Sequence, residues 1–415
     1  MIDMDDMNTP KICVIGGGPA GMMAAGTAAL HGADVTIFES MTHLGKKLAI
    51  TGKGRCNVTN ACSTNEVLEN VTTNPRFLYG ALNAFSTDDT ISFFEGLDTP
   101  LKTERGKRVY PVSDKARDIV NAMRKYAEGA NVVYQKVSSV KKHDNGFTVK
   151  TVGGTFEFDK VIIATGGRSY PLTGSDGSGF RLASKLGHKI TELIPSLIPL
   201  ESDSPLCSDM QGLSLKNVGI KILNENNEVL YTDFGEMMFA HFGVTGPVIL
   251  SASAHLRNVD LTTLTLSIDL KPALDEKTLD ARLLSDFKAK NNKDLINAMG
   301  DLLPTKMIEP FIRCTEIDER KKINSITKEE RQRILRQLKD FRIPISGFRP
   351  IEEAIVTSGG VDTKEISPKT MESKLIPGLY FAGEVIDVDA YTGGFNLQIA
   401  FSTGYLAGKS AAEIY

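Results

Sequence analysis

The chain has 415 residues, of which 41% are hydrophobic and 24% are charged, and its formal net charge is −3. This length predicts two or three domains, and the small negative charge provides no global basic field that would favour nucleic acid. The five cysteines contain no CxxC pair, which argues against a secreted disulfide framework and against a zinc site.

The N-terminus and the distribution of apolar residues indicate the compartment. The first ten residues, "MIDMDDMNTP", are acidic and lack the apolar core of a signal peptide. No apolar run approaches the roughly 20 residues that a membrane helix needs. We therefore expect a cytoplasmic protein with reduced thiols, no membrane association and no metal site.

The segment 11–40 has the pattern strand, glycine turn, helix, strand. Gly16, Gly18 and Gly21 have the G-x-G-x-x-G spacing, and Pro19 suits the first turn of the following helix. Glu39 ends the second strand 18 residues after Gly21, where an acid that binds ribose is expected. Dinucleotide binding is predicted here, with FAD or NAD favoured over NADP. The expected contacts are Gly16, Gly18, Pro19, Ala20, Gly21, Glu39 and Ser40.

The loop "AITGKGRCNVTNAC" allows two interpretations. Cys56 and Cys62 could form a redox dithiol, but their CxxxxxC spacing is one residue longer than in flavin disulfide reductases, and the loop does not have a helical pattern. The loop instead favours cofactor binding, with Cys56 as a small buried residue. Basic and polar side chains suit phosphate and flavin edges, and glycine allows close approach. The expected contacts are Lys46, Lys47, Gly54, Arg55 and Asn57.

The middle of the chain contains a strand meander and a second glycine-rich strand end. The pattern of residues 132–159 predicts short strands with turns at Asn145-Gly146 and Gly153-Gly154. Within this segment, Val137 is expected to contact the cofactor. The strand "VIIA" then ends in Thr165-Gly166-Gly167, a pattern common in flavoproteins. Ala164, Thr165 and Gly166 are expected to lie close to the cofactor.

From Pro195 the pattern changes to alternating strands, with a turn at 224–227, and after Pro272 it becomes helical. Thr327 and Glu330 have the spacing of a capping box. Residues 313–342 carry ten Lys or Arg against six Asp or Glu. This excess could bind nucleic acid, but a solvated helix face with ion pairs is the favoured interpretation.

Residues 378–408 form the C-terminal block, a short strand ending in Gly383-Glu384, then a turn and a helix. The N-terminus of that helix is expected to face the flavin edge where negative charge develops on reduction. In FAD-binding Rossmann proteins this strand usually ends in Gly-Asp, and the Asp contacts the ribityl chain. Here Glu384 occupies the position of that Asp. Three such elements favour FAD over NAD, and the expected contacts are Gly383, Glu384, Gly394, Phe395, Asn396 and Leu397.

Taken together, these motifs resemble the aminoacetone-oxidase/BaiN-type family of FAD-binding proteins, from end to end. The matching segments include "GKKLAITGKGRCNVTN", "ATGGRSYPLTGSDGSGF" and "GEVIDVDAYTGGFNLQIAFSTGYLAG". The resemblance implies a three-domain flavoprotein, with an amine oxidase and a bile-acid-type reductase among the activities assigned in the family. The resemblance implies the fold and the cofactor, and it does not single out one substrate.

The predicted fold class is α/β: a Rossmann-like FAD-binding domain with an inserted antiparallel β-domain that itself carries a small helical insert. The expected FAD-binding domain comprises 1–190 and 363–415. The β-domain comprises 191–270 and 341–362, and the helical insert 271–340. The FAD is expected to be non-covalently bound.

Three side chains are candidates for catalysis. His241 lies in "MMFAHFGVTGP", before a glycine turn, and Tyr170 and Tyr391 lie within motifs expected near the flavin. A structural role is an equal alternative for each of them.

The predicted function is hydride transfer between a small organic substrate and flavin N5. One hypothesis is an oxidase of small amines or aminoketones, and the second is an NAD(P)H-dependent reductase of an unsaturated or steroid-like substrate. NAD(P)H is thus a possible transient donor, although no second complete dinucleotide fingerprint is present. A third, less favoured hypothesis is a flavin-dependent protein that modifies or binds RNA, so a nucleic-acid partner is not expected. The oligomeric state is left open.

Overall fold

A computed structural model describes residues 9–413. The chain folds into two compact units. The first comprises the chain up to Ser196 together with the chain from Ile351 onward, and the second comprises Leu197–Pro350.

The strands are, in chain order, β1 Lys11–Ile15, β2 Asp34–Phe38, β3 Thr59–Asn60, β4 Val71–Thr73, β5 Leu101–Glu104, β6 Arg108–Pro111, β7 Asn131–Val133, β8 Val137–His143, β9 Gly146–Thr151, β10 Gly154–Phe158, β11 Lys160–Ile163, β12 Ile194–Ser196, β13 Leu200–Glu201, β14 Ser214–Leu223, β15 Val229–Ala240, β16 Gly243–Thr245, β17 Thr265–Asp269, β18 Phe341–Pro344, β19 Gly347–Phe348, β20 Val356–Ser358, β21 Leu379–Phe381 and β22 Asp389–Ala390.

The α-helices are α1 Pro19–Leu30, α2 Thr64–Glu69, α3 Tyr79–Ala84, α4 Thr87–Gly96, α5 Ala116–Tyr126, α6 Ser178–Lys185, α7 Pro205–Asp209, α8 Pro247–Ser253, α9 Glu276–Ala289, α10 Leu295–Ala298, α11 Thr305–Thr315, α12 Lys328–Lys339 and α13 Phe395–Ala412. None of the helices between residues 9 and 413 combines the length and apolar character needed to cross a membrane.

A five-stranded parallel sheet forms the centre of the first unit, in the order β21-β11-β1-β2-β7. Ile12, Val14 and Ile162 are fully buried, as expected for a parallel sheet that is covered on both faces. The predicted Rossmann-like sheet is confirmed. The carboxyl ends of β1, β11 and β21 are neighbours, so the three glycine motifs that follow them meet at one edge of the sheet.

The meander predicted at 132–159 is present in the first unit as the antiparallel sheet β8-β9-β10. Its tight turns contain Asn145-Gly146 and Gly153-Gly154, as expected. Val137 begins β8 and is buried.

The second unit contains a seven-stranded sheet in the order β18-β17-β14-β15-β16-β13-β19, with antiparallel pairing throughout. Helices α9 to α12 lie in the chain between β17 and β18, which are neighbours in this sheet. The helical segment is therefore an insertion between two paired strands. Leu283 and Leu338 of the helices share one buried core with Ile268 of the sheet. The capping box of Thr327 and Glu330 is formed at the start of α12.

The boundaries between the two compact units lie at 196/197 and 350/351. The sequence prediction placed the corresponding domain boundaries at 190/191 and 362/363. The reason for the difference is β20, which pairs with β12 and so remains with the first unit. Leu283 and Leu338 share the sheet's core, so the helical segment that was predicted as a separate domain lies within the second compact unit.

Candidate cofactor and substrate site

The loop between β1 and α1 requires glycine at two positions for steric reasons. A Cβ on Gly21 would lie 1.8 Å from the carbonyl oxygen of Gly16, and Gly16 itself has φ +108°. At Gly18, by contrast, a Cβ would meet no atom within 4 Å. The backbone is therefore tightly packed on the protein side of the loop and open at Gly18, where the N-terminus of α1 offers free N–H groups to phosphate.

Glu39 is buried at the end of β2 and is bound to the same loop. Its Oε2 accepts a hydrogen bond from the backbone N–H of Gly17 at 2.8 Å, and its Oε1 accepts from the N–H of Met41 at 2.7 Å. Ser40 donates its hydroxyl to Oε1 as well. The carboxylate predicted to bind ribose thus also orders the glycine loop.

An ion pair joins two predicted cofactor residues that are 337 positions apart in the chain. Lys47 Nζ lies 2.9 Å from Glu384 Oε2 and 2.7 Å from the hydroxyl oxygen of Ser169. Glu384 Oε1 accepts the backbone N–H of Thr357 at 2.9 Å. The structure therefore brings the lysine loop, the segment after β11 and the segment after β21 into direct contact.

The loop that contains Asn57 is held against the N-terminus of α13. Gly394 has φ +97°, and a Cβ there would lie 2.4 Å from the backbone of Thr59. Thr59 also donates its hydroxyl to Gln398 Oε1 at 2.6 Å, and Asn60 Nδ2 donates to the carbonyl oxygen of Gly393 at 3.2 Å. The glycine-rich loop and the helix start form one packed element.

The turn before α13 is closed by Asn396. Its Oδ1 accepts the N–H of Ala390 at 3.0 Å, and its Nδ2 donates to the carbonyl oxygen of the same residue at 2.7 Å. Gly383 approaches α1, where a Cβ would lie 2.7 Å from the Cβ of Ala20. Helix α1 and the segment at Gly383, which are far apart in the chain, are thus packed together beside the predicted cofactor segments.

Arg55 has a different environment from that expected for a pyrophosphate ligand. Its guanidinium donates to Glu104 at 2.6 Å and to Asp114 at 2.5 Å, and it lies 4.2 Å from the centre of the Tyr110 ring. These contacts raise its pKa above the ordinary value, chiefly through the hydrogen bond to Glu104. Contact with a phosphate would require the guanidinium to exchange these partners.

The cysteine thiols are not activated. Cys56 is fully buried, and burial raises its pKa to about 12; burial likewise raises the pKa of Cys62 to about 11. At these pKa values both thiols are protonated near neutral pH. The thiolate is the reactive form, so neither side chain is activated. This favours the prediction that the loop holds a cofactor rather than a dithiol.

The predicted cofactor segments can be tested for fit to FAD from their own unsatisfied groups. Within residues 9–413, Asn57 Oδ1 and Thr165 Oγ1 are buried and have no hydrogen-bond partner. Buried polar atoms are normally paired, so unpaired ones in two separate predicted segments fit a polar ligand that supplies the partners. Together with the open backbone at Gly18, these residues fit a bound dinucleotide.

The remaining predicted residues lie in the same first unit. Lys46 is half-buried, Gly54 is exposed with φ +86°, and Ala164 and Phe395 are buried. Gly166 has φ +71°, Leu397 is half-buried, and Pro19 occupies the first turn of α1 as predicted.

A cavity of about 710 Å³ lies beside the start of α13, and we call it the hairpin cleft. Its walls are the β5–β6 hairpin from Glu104 to Tyr110, the segment from Arg55 to Asn70, and Thr392, Gly393 and Phe395 at the start of α13. Its volume lies in the range of roughly 300–1,000 Å³ that is common for ligand sites. No signal in our sequence prediction pointed to this cavity.

The candidate catalytic residues are distributed over both units. Tyr170 is exposed, has φ +52° and donates its backbone N–H to the carbonyl oxygen of Glu352. Tyr391 is half-buried and packs against the core of the first unit. His241 is exposed in the second unit, after β15, with its ring 5.1 Å from that of Phe242. The structure places the two tyrosines, but not His241, in the unit that contains the predicted cofactor segments.

The basic segment 313–342 is largely neutralised by acids of its own unit. Arg331 lies 2.8 Å from Asp280, Lys321 lies 2.6 Å from Glu330, and Lys339 lies 2.5 Å from Asp269. This agrees with the interpretation as a solvated face with ion pairs.

Sequence reasoning missed several residues that build this region. Thr59 and Gln398 are buried polar partners, and the only signal was a lone glutamine in the apolar run "FNLQIAF". The run "ERGKR", residues 104–108, is visibly rich in charge, but the sequence prediction did not single it out. Its position beside α13 depends on the pairing of β6 with the distant strand β3.

Comparison with known proteins shows similarity along almost the whole chain. The family model described as "HI0933-like protein Rossmann domain" matches residues 10–410. The 3-dehydro-bile acid delta(4,6)-reductase of Clostridium scindens is 30% identical over 410 residues, which cover 97% of this chain and 99% of that protein. The ribosomal RNA dihydrouridine synthase of Escherichia coli is 31% identical over 395 residues, which cover 94% and 95%.

Among solved structures, 3-ketosteroid delta1-dehydrogenase from Sterolibacterium denitrificans aligns with a TM-score of 0.50 and 13% identity. The alignment covers 98% of this chain and 99% of that one. At this identity the likeness concerns the fold alone.

Proposed function

The chain belongs to the HI0933-like family of Rossmann-type, FAD-dependent oxidoreductases, and from that premise we propose that it reduces the C5–C6 double bond of uridine in ribosomal RNA. The observation that carries the proposal is the near end-to-end match to a relative named for this product, at 31% identity. A second such relative, from Haemophilus influenzae, is 29% identical over 412 residues.

Reduction of a carbon–carbon double bond is common to the relatives that match along almost the whole chain. The name of the bile acid relative also denotes reduction of carbon–carbon double bonds, here next to a carbonyl group. Uracil contains the same arrangement, because C5=C6 is conjugated to the C4 carbonyl. FAD held by these residues and reduced by NAD(P)H would supply a hydride to such a double bond, and a proton would complete the saturation. The balanced reaction consumes one NAD(P)H and one proton per uridine and yields NAD(P)⁺ and 5,6-dihydrouridine.

The chain's own residues would bind and orient the reactants. The N-termini of α1 and α13 present backbone N–H groups and partial positive charge to anionic groups of the cofactor. Lys47 forms an ion pair with Glu384 at the three strand ends. Asn57 and Thr165 offer hydrogen-bonding atoms that have no protein partner among the described residues.

A proton must reach the carbon next to the carbonyl, and we propose the hydroxyl of Tyr391 as the first candidate. It lies three residues before the N-cap of α13, whereas Tyr170 is more exposed. The thiols of Cys56 and Cys62 retain their protons near neutral pH, and the buried Cys56 thiol is the poorer donor. His241 stays a candidate whose role requires a test of its own.

A second candidate function is reduction of a steroid-like enone, supported by the 30% identity to the bile acid reductase. The oxidation of small amines, which was the first hypothesis from the sequence, is the third candidate here. All three predict different partners for the same flavin.

An anaerobic titration of the purified FAD-bound protein separates these functions. NADH or NADPH is added first, and flavin absorbance is followed; reduced protein then receives ribosomal RNA transcript, a 3-keto-4-ene steroid, or no acceptor. The proposal expects reoxidation by the RNA, with conversion of uridine to dihydrouridine measured by nucleoside mass spectrometry. Reoxidation by the steroid alone would establish the second candidate. Bleaching of oxidised protein by aminoacetone, with no reduction by nicotinamides, would establish the oxidase.

A further inference from the structure

Two arginines at the tip of the β5–β6 hairpin lack an acidic partner. Arg105 and Arg108 are both exposed, and within residues 9–413 neither forms an ion pair. The other cations of the hairpin cleft are neutralised: Lys107 lies 2.6 Å from Glu66, and Arg55 binds Glu104. The free positive charge of the cleft is therefore concentrated at these two guanidinium groups.

The position of this tip is fixed relative to the start of α13. Asn60 Nδ2 donates to the carbonyl oxygen of Gly106 at 3.1 Å and also to that of Gly393 at 3.2 Å. In addition, Asn60 lies opposite Arg108 in the pairing of β3 with β6. One side chain thus connects the hairpin tip to the helix start that is predicted to face the flavin.

The cleft has the size and lining of a nucleotide-binding groove. Tyr110 and the largely buried Phe395 are among the residues that line it, and the start of α13 contributes partial positive charge. The two guanidinium groups at the rim can each bind a phosphate oxygen in a bidentate manner. The acid Glu69, which also lines the cleft, forms no ion pair among the described residues and opposes them.

We infer that the hairpin cleft binds the sugar–phosphate backbone of the RNA beside the target uridine, with Arg105 and Arg108 contacting phosphates. This inference rests on the proposed function, since it assigns the surface that would receive the RNA substrate. Phosphate contacts position a nucleic acid without reading its sequence, so the cleft determines register and affinity rather than base choice.

The test measures binding of fluorescein-labelled single-stranded oligouridylate to the FAD-bound protein by anisotropy, over a range of KCl concentrations. The variant is Arg105→Gln/Arg108→Gln. The matched control is Lys141→Gln/Lys150→Gln, which removes the same charge from exposed positions on β8 and β9. FAD absorbance and thermal midpoint confirm that both variants are folded.

The cleft variant is expected to lose affinity by at least about tenfold, and its salt slope is expected to fall by about 1.4, or roughly 0.7 for each lost phosphate contact. The control is expected to change affinity less than about twofold. The variant Glu69→Gln should bind more tightly, because it removes an opposing charge. Equal losses in cleft and control variants, or no binding by the unaltered protein, would overturn the inference. Displacement by NADPH but not by unlabelled RNA would assign the cleft to the nicotinamide instead.

Failure of this inference is distinguishable from failure of the proposed function. If the protein reduces uridine in RNA and the cleft variant retains the same KM, the function stands and the cleft assignment is wrong. If binding depends on the two arginines but no dihydrouridine is formed from NAD(P)H, the cleft binds RNA and the proposed reaction is wrong. In the combined case, the cleft variant should raise KM for RNA and leave the reduction of FAD by NAD(P)H unchanged.

Discussion

His188 is buried in the first unit, and its Nε2 is paired with a serine hydroxyl. Its Nε2 lies 2.8 Å from the hydroxyl oxygen of Ser373, which already accepts the N–H groups of Leu375 and Ile376. The hydroxyl hydrogen is therefore free to be donated to Nε2, which requires that this nitrogen carries no proton. Burial lowers the pKa of the imidazole below its ordinary value, opposed in part by the charge of Glu365. The lowered pKa favours the neutral ring in the folded protein near neutral pH.

This histidine should make stability depend on pH below its ordinary pKa of about 6.5. The unfolded chain binds a proton there more readily than the folded one, so the stabilisation is complete above that pH and is lost as the pH falls toward the lowered folded-state pKa. We expect the urea midpoint to fall between pH 7 and pH 5, and to fall less steeply in His188→Gln. The exposed His43→Gln serves as control and should retain the full slope. An unchanged slope in His188→Gln would contradict the assignment.

At the residue scale, the sequence predicts those residues of the candidate site whose type follows from the local geometry of the chain. The glycines of the β1–α1 loop and Glu39 follow from the spacing of the fingerprint, and the contacts at 1.8 Å and 2.8 Å give the physical cause. Arg105 and Arg108 were not predicted, because an exposed basic turn indicates a binding surface only when the neighbouring elements, here the start of α13, are known. The ion pairs of Arg55 were likewise invisible, since Glu104 and Asp114 lie about 50 and 60 positions away.

Helices α1 and α13 pack closely because small residues face each other. A Cβ at Gly404 would lie 2.5 Å from the carbonyl oxygen of Ala20, and one at Gly408 would lie 2.3 Å from that of Ala24. Both neighbours are backbone atoms of a helix, which cannot rotate away. The close approach keeps the N-terminus of α1 beside Gly383, so packing of two elements positions the predicted phosphate site.

Substitution of Gly404 by alanine should therefore destabilise the protein although it improves helix propensity. The propensity gain is about 1 kcal/mol, whereas overpacking against backbone costs about 1–3 kcal/mol. We expect a lower free energy of unfolding and weaker FAD retention, measured by urea denaturation and by flavin release on dialysis. Gly96→Ala at the end of α4 is the control, because a Cβ there meets nothing within 4 Å, and it should be neutral or stabilising. A stabilised Gly404→Ala protein would show that the helices can separate without cost.

On the scale of the whole molecule, residues 9–413 form two separate hydrophobic cores. One contains only residues of the first unit, from Ile12 to Ala412, and the other only residues of the second, from Leu200 to Ile345. The predicted cofactor residues all belong to the first unit. Ligand binding stabilises the elements that form the site, so FAD should protect the two units to different extents.

Hydrogen–deuterium exchange with and without FAD tests this expectation. Removal of FAD should increase exchange in the loop at 45–62 and in the segment 383–398, because their polar groups lose the partners that the cofactor supplies. The sheet strands β14 and β17 of the second unit should exchange at the same rate in both states, since their core is formed within that unit. A comparable increase in β14 and β17 would mean that FAD stabilises the chain as one cooperative unit.

The sequence alone determined the architecture and the cofactor class. Strand and helix periods, glycine spacing and a terminal acid are local signals, and they predicted β1, α1, β2, the meander and α13 because each follows from chain geometry over a few residues. The position of the helical insert between β17 and β18 also followed from the change of period.

Only the tertiary structure decided which distant residues meet. The pairing of β20 with β12 places the unit boundary elsewhere than predicted. The sequence did not show this pairing, because hydrogen bonds between strands about 160 residues apart leave no local pattern. The same holds for Lys47 with Glu384 and for Asn60 between the hairpin tip and α13. Such contacts depend on how the sheets order their strands, and that order arises from packing of the entire unit rather than from any segment.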